Sequence, residues 1–148
     1  MIEIRKTTMD SEDAKALIQE LNQILVKITG DDGTTHFQQT DVEQERSVFL
    51  IGYIDGEPFA CGGLKEISQE CGEIKRIYAR KNQCQMGRRI IKALEEEAKR
   101  LNYQKLVLET RIQNEHAISF YEKNGYIHCE KYGVYRNNEN AYCFKKEL

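Results

Sequence analysis

Two stretches of this chain combine residue types at spacings that could do chemistry. The first, Arg80 to Arg89 (RKNQCQMGRR), sets Gly87 between a strand-like and a helix-like segment. Amides at a helix N-terminus suit phosphate oxygens when the helix dipole lies behind them and Arg80, Lys81, Arg88 and Arg89 lie beside them. The stretch reads as a diphosphate cradle, and an ordinary basic turn fits the same residues because one glycine is a weak motif. The second stretch, Asn114 to Tyr126 (NEHAISFYEKNGY), puts Ala117 and Tyr121 at i, i+4 on one helical face. A fixed phenol there could donate a proton; the competing reading makes Phe120 and Tyr121 two core aromatics.

Other reactive side chains carry less. His116 and His128 have no partner at metal-ligand spacing, so no metal dependence is expected. The five cysteines, Cys61, Cys71, Cys84, Cys129 and Cys143, are odd in number and include no C-x-x-C pair. That excludes a closed disulfide framework or a zinc ribbon and fits free thiols in a reducing cytoplasm. With 22 Lys+Arg against 24 Asp+Glu the net charge is -2, which argues against a nucleic-acid partner held by bulk charge. No run approaches the roughly 18 apolar residues of a membrane span, and the N-terminus lacks a signal-peptide core. A length of 148 residues matches a single domain, 1–148, with a core that needs no metal or disulfide.

Those side chains need elements to hold them. Ile2 and Ile4 alternate with charged residues and predict a short strand, after which Asp10 or Ser11 caps a helix. In that helix Ala14, Leu17, Ile18, Leu21, Ile24, Leu25 and Ile28 form one packed face, with Lys15, Glu20 and Lys27 on the wet one. Gly30 to Asp41 is polar and glycine-punctuated, and Val42 to Arg46 begins a weak helix. Val48 to Ile54, the turn Asp55-Gly56, Phe59 to Ile67 and Gly72 to Arg80 predict an antiparallel meander. In its third strand simple alternation puts Ile74 and Tyr78 on one side, with Arg76 between them. Gly87 opens a helix with Ile90, Ile91, Leu94, Ala98 and Leu101 inward, and the run Glu95, Glu96, Glu97 reads as solvated. Lys105 to Thr110 is a buried strand, Asn114 caps a helix through Lys123, and Tyr126 to Glu130 and Ala141 to Lys145 close the sheet.

The segment LVLET followed by N-x-x-A-I-x-F-Y-x-K-x-G-Y resembles the signature of the GNAT superfamily of acetyl-CoA-dependent N-acetyltransferases. GEIKRIYAR with the loop and helix after it resembles that family's coenzyme-binding motif. The resemblance runs from about Val48 to the C-terminus and implies an α/β fold with a mixed, mostly antiparallel central sheet flanked by helices. It favours the proton-donor reading of Tyr121.

Position by position, the resemblance implies that the main chain of Ile77, Tyr78 and Ala79 pairs with the pantetheine arm of acetyl-CoA as another strand would. The loop Asn82, Gln83, Cys84, Gln85, Met86, Gly87 and Arg88 then holds the diphosphate, and Asn114 touches the pantetheine. Tyr121 is the general acid for the departing thiolate, and a backbone amide of the third strand stabilises the oxyanion. Glu73 is named as the base that takes the amine proton, directly or through water, with Glu109 second. The family's loop runs Arg or Gln, two residues, Gly, one residue, Gly or Ala. Keeping the helix's apolar face inward puts Asn82 at the Arg/Gln position, Gln85 at the first glycine and Gly87 at the last small position. Setting Gly87 at the first glycine instead puts Cys84 and Arg89 at the flanking positions. In either alignment one glycine is missing. The implied acceptor is a small-molecule or peptide amine, read in part by Gly30 to Arg46 and by the Lys131 to Asn140 loop with Tyr132, Tyr135 and Arg136. A homodimer is common among such proteins. The rival reading is a non-catalytic acyl-CoA-binding or sensor module with a degraded loop.

Overall fold

The computed structural model describes residues 1–30 and 45–148. Its elements run β1 (Ile2–Thr7), α1 (Glu12–Thr29), β2 (Val48–Ile54), β3 (Glu57–Glu66), β4 (Cys71–Ala79), α2 (Met86–Arg100), β5 (Lys105–Arg111), α3 (Glu115–Lys123), β6 (Ile127–Cys129) and β7 (Ala141–Glu147). The seven strands form one sheet in the order β1-β2-β3-β4-β5-β7-β6. Every described pairing is antiparallel except β4 with β5, which the helix α2 joins as a crossover. This is the mixed, mostly antiparallel sheet that the sequence led us to expect.

Alternation in β2 sorts the core. Val48 and Leu50 face the layer built on α2, while Phe49, Ile51 and Tyr53 face the layer built on α1. On the α2 side Met86, Ile90, Ile91, Leu94 and Ala98 are fully buried, and each large side chain there contributes about 1.5–3 kcal/mol by leaving water. The helix comes close because β3 carries Gly62. A Cβ there would lie 2.6 Å from Ile77 Cδ1 and 2.9 Å from Leu94 Cδ1.

Ser11 is the cap of α1, with the Ala14 N–H donating to its Oγ at 3.3 Å. Only the first half of the expected apolar face packs: Ala14, Leu17 and Leu21 are buried, whereas Ile24 and Ile28 are 42% and 37% exposed. The second half of the helix overhangs a cleft, lined by Leu21, Leu25 and Thr29, instead of the sheet. Glu20, expected on the wet face, instead binds Arg80 (2.6 Å) and accepts from the Tyr78 hydroxyl (2.9 Å). The expected weak helix over Val42 to Arg46 lies mostly outside the described residues; its end, Glu45 and Arg46, is a turn with Arg46 at φ 62°.

Simple alternation fails in β4. Arg76 has φ 60° and the register with β3 slips between Cys61 and Gly63, a β-bulge. Ile74 therefore joins the α2 layer and Tyr78 the α1 layer, on opposite sides of the sheet rather than the same one. A second correction concerns Glu95, which is 6% exposed and not solvated. It accepts from the Tyr126 hydroxyl at 2.8 Å and pairs with Lys146 at 3.1 Å. Helical spacing puts Glu95 one residue beyond Leu94, on the edge of the buried face, where β7 and the residues after α3 supply partners from far along the chain.

Candidate active site

The ladder between β4 and β5 holds only at Cys71↔Lys105, Gly72↔Leu106 and Glu73↔Val107. Beyond Glu73 the two strands diverge, and the cleft between them, ≈ 130 Å³, lies under the second half of α1 and beside α3. β4 contributes Ile74, Lys75, Arg76 and Ile77 to its walls; β5 contributes Glu109, Thr110 and Arg111. Asn114, Ala117 and Tyr121 come from α3, and Tyr135 from a short 3-10 turn, Gly133–Tyr135.

Tyr121 and the sheet meet because α3 is short and held at both ends. The Ala117 N–H donates to Asn114 Oδ1 at 3.2 Å at its start, and the Tyr126 N–H returns to the Tyr121 carbonyl at 3.0 Å at its end. The Tyr121 ring packs against Phe120, Tyr126 and Phe144 with centroids 5.2 to 5.9 Å away. It is thus a core aromatic and a cleft residue at once. Among the described residues its hydroxyl has no hydrogen-bond partner. Burial first, then the charge of Glu109, pushes its pKa above the ordinary tyrosine value, so it stays protonated.

The carboxylates divide by position. Glu109 lines the cleft, paired with Arg111 two residues on, and burial raises its pKa in spite of Arg111 and Lys75. Glu73 sits at the last paired rung, 3% exposed, outside the cleft walls. It accepts a short bond from the Tyr132 hydroxyl and lies 3.9 Å from both Lys65 and Lys75. Of the three loop residues expected near the acceptor, Tyr135 reaches the cleft, Tyr132 stands behind it on Glu73, and Arg136 is exposed.

Sequence reasoning missed Lys75 and Arg111 as cleft residues and gave Arg76 no role there. The adjacent charges Lys75-Arg76 in the middle of β4 were the available signal, since strict alternation would bury one of them.

In the loop before α2, Gln85 has φ 54° and ψ 46°, the left-handed conformation that glycine adopts without strain. Asn82 closes the loop: its Oδ1 accepts from the Cys84 N–H at 2.9 Å and the Met86 N–H at 3.2 Å. The first bond inside the helix is Arg89 N–H to Gln85 carbonyl, 3.1 Å, so the amides of Gly87 and Arg88 precede it and suit an anion. A Cβ on Gly87 would touch Phe120 at 3.4 Å, so α2 begins tight against α3. Two of the expected loop cations are committed elsewhere: Arg80 to Glu20 and the Pro58 carbonyl, Arg89 to the Cys84 carbonyl. Cys84 is half-buried against the α2 layer. The residues present therefore fit a diphosphate through backbone amides, with a strained Gln85 in place of glycine.

That strain is testable. Left-handed backbone costs a residue with a Cβ roughly 1–2 kcal/mol, partly offset by the extra freedom glycine gives the unfolded chain. Gln85→Gly should raise stability by about 0.5–1 kcal/mol and tighten acetyl-CoA in a calorimetric titration. Lower stability together with weaker coenzyme binding would sink the strain argument.

Among the described residues no group of three or more His, Cys, Asp or Glu is arranged to hold a metal, and His128 stacks on Tyr142 with centroids 4.3 Å apart. No described helix is long and apolar enough to cross a membrane.

Known proteins agree with this geometry. An uncharacterized N-acetyltransferase, YsnE of Bacillus subtilis, is 31% identical over 99 residues, 64% of this chain and 66%, just under two thirds, of that relative. A Klebsiella pneumoniae protein assigned as an acyl-CoA N-acyltransferase superposes with a TM-score of 0.83 at 24% identity, covering 100% of this chain and 98% of its own. A GNAT family acetyltransferase from Elizabethkingia anophelis, solved with acetyl-CoA bound, gives 0.74 at 19% identity over 99% and 98% of the two chains. Residues 14–126 match the acetyltransferase (GNAT) family, a span that takes in the diverging strands, the loop before α2 and Tyr121. The chain belongs to the acetyltransferase (GNAT) family.

Proposed function

We propose that this protein transfers the acetyl group of acetyl-CoA to a primary amine of a small molecule or peptide by direct attack. The observation that carries the reading is a buried phenol, Tyr121, and a buried carboxylate, Glu109, facing one cleft where β4 and β5 part. Acetyl-CoA supplies an activated acyl carbon as its thioester; the amine nitrogen bonds to that carbon while the carbon–sulfur bond breaks. Ile77, Tyr78 and Ala79 offer the pantetheine arm the β4 edge that β5 leaves unpaired, with Asn114 beside it. A β4 amide supplies the donor for the developing oxyanion. Asn82, Gln83, Cys84, Gln85, Met86, Gly87 and Arg88 hold the diphosphate.

Glu109 takes the amine proton. Glu73, the other carboxylate, lies behind it and fixes Lys75 by charge. Tyr121 donates to the departing sulfur. Since a free thiol has a pKa near 8.5, well below this tyrosine's, the donor acts chiefly as a strong hydrogen bond while the sulfur takes its proton. Positioning supplies most of the acceleration, and a proton donor adds about 10²- to 10⁴-fold.

The test is release of free thiol when acetyl-CoA and mixed amines are supplied; coenzyme binding without any release would favour the sensor reading. For the base, kcat/KM corrected for amine ionisation should rise along an acid limb lying above the ordinary carboxylate pKa, because only ionised Glu109 accepts a proton and burial raises its pKa. Glu109→Gln should remove that limb. An unchanged profile would move the role elsewhere. The same shift has a stability sign. The folded-state pKa is raised, so its stabilising effect is full below the ordinary carboxylate pKa and lost as pH climbs through the raised value.

A further inference from the structure

Most lysines of this chain keep their ammonium in water: the side chains of Lys6, Lys15, Lys92 and Lys99 are 48% or more exposed. Lys75 is 9% exposed and, among the described residues, is the one lysine on the cleft walls, which it shares with Tyr121 and Glu109. Its ammonium donates to the Tyr135 hydroxyl and stands 3.9 Å from Glu73. Tyr132 donates to that same carboxylate, and its ring meets the Tyr135 ring edge-on at 5.4 Å. The turn after β6 therefore holds Lys75 in place, with an amine nitrogen inside the cleft before any acceptor arrives.

We propose that Lys75 is a self-acetylation site: with acetyl-CoA bound and no acceptor in the cleft, its Nζ takes the acetyl group. This rests on the acetyl-transfer reading above and adds a second nucleophile to the same site. Lys75 stands two residues before Ile77, where the pairing with pantetheine proposed above begins. Two residues are about 6–7 Å of strand, a gap that a flexible four-carbon stem can cross. Burial lowers the pKa of the ammonium although Glu73 and Glu109 raise it, and Lys65 and Arg76 lower it further. A lowered pKa enlarges the neutral, nucleophilic fraction. In the step, the ammonium first gives one proton to Glu73. Nζ then bonds to the acyl carbon, the carbon–sulfur bond breaks, and the proton lost as the amide forms ends on the departing thiolate. The products are acetyl-lysine and free coenzyme A. The amide carries no charge for Glu73, and its acetyl group takes up part of a cleft of only ≈ 130 Å³, so the mark closes the site to an acceptor.

The experiment incubates the full chain with acetyl-CoA and no amine, and locates acetyl groups by peptide mass mapping. Lys75 should be marked at least about tenfold faster than Lys99, which is more than half exposed, because only Lys75 shares the cleft with the thioester. Excess coenzyme A should suppress the Lys75 mark alone. Tyr121→Phe should slow it and leave the mark on Lys99 unchanged. A second readout needs no coenzyme: competitive labelling by acetic anhydride across pH should give Lys75 a midpoint below the ordinary lysine value. The groups that face it there are Glu73 and Arg76 on its own strand, Lys65 on β3, Glu109 and Arg111 on β5, and Tyr135 on the turn. No mark on Lys75, a mark no faster than that on Lys99, or a midpoint at or above the ordinary value overturns the inference. Continued thiol release with mixed amines would in that case leave the acetyltransferase reading standing. A fast Lys75 mark, with thiol release that stops at one per chain even when amines are added, would uphold the inference and sink transfer to an amine acceptor instead.

Discussion

Tyr121→Phe should lower kcat by about 10²-fold or more while the acetyl-CoA dissociation constant stays put. The substitution removes one oxygen and keeps the ring that packs on Phe120, Tyr126 and Phe144. Because the hydroxyl has no partner among the described residues, its loss orphans nothing there, and thermal unfolding should be unchanged. A drop in turnover would then report the lost donor to sulfur and not a damaged core. Burial adds a second signature: with its pKa pushed up, Tyr121 stays protonated through the ordinary tyrosine range, so the parent protein should show no alkaline loss of activity near pH 10 from this group. An unaltered turnover number in Tyr121→Phe would remove the tyrosine from the mechanism.

Glu95→Ala should destabilise the protein by about 3 kcal/mol or more, whereas Glu96→Ala, one residue away, should change little. Glu95 holds the Tyr126 hydroxyl at 2.8 Å and Lys146 at 3.1 Å, and Lys146 in turn donates to the Asn124 carbonyl at 3.0 Å. Truncation would leave a phenol that is 3% exposed and a partly buried ammonium without their anion. Among the described residues Glu96 pairs only with Lys99 across the wet face of α2, at 3.4 Å with both side chains more than half exposed. Denaturant unfolding of the two variants side by side checks the contrast, and equal stabilities would show the buried pair to be dispensable. Asn124 and Tyr126 end α3, the helix that bears Tyr121, so the same variant should also slow turnover. Glu95 holds the helix that bears Tyr121 from beneath.

How much of the fold and the site was legible beforehand depends on the range of the interactions. Helices and strands were readable because their signals are local: Ser11 caps α1 and Asn114 caps α3, and the alternation of Val48 to Ile54 names both of its layers. The N-x-x-A-I-x-F-Y block was readable for the same reason, since one short helix carries both Asn114 and Tyr121 into the cleft. The apolar face of α2 was readable too, from the spacing of Ile90, Ile91, Leu94 and Ala98, all of them buried.

The charge pattern of the cleft was not readable, because it depends on a break in local regularity. Alternation put Ile74 and Tyr78 together, and a bulge of one residue undoes that by slipping the register against β3 and turning Lys75 and Arg76 to the same side. The adjacent charges Lys75-Arg76 hint at a break, but its place is decided by pairing with β3, earlier in the chain. The solvated reading of Glu95 turned on the same point. Whether a carboxylate faces a cleft, a lysine or water is a property of strands and side chains brought together from distant parts of the chain. The sequence by itself determined the elements, their order and the helix that carries the phenol, since each comes from contacts within a few residues. Only the tertiary structure decided where β4 and β5 part and which charges line the gap, because burial and register are collective properties of the packed sheet.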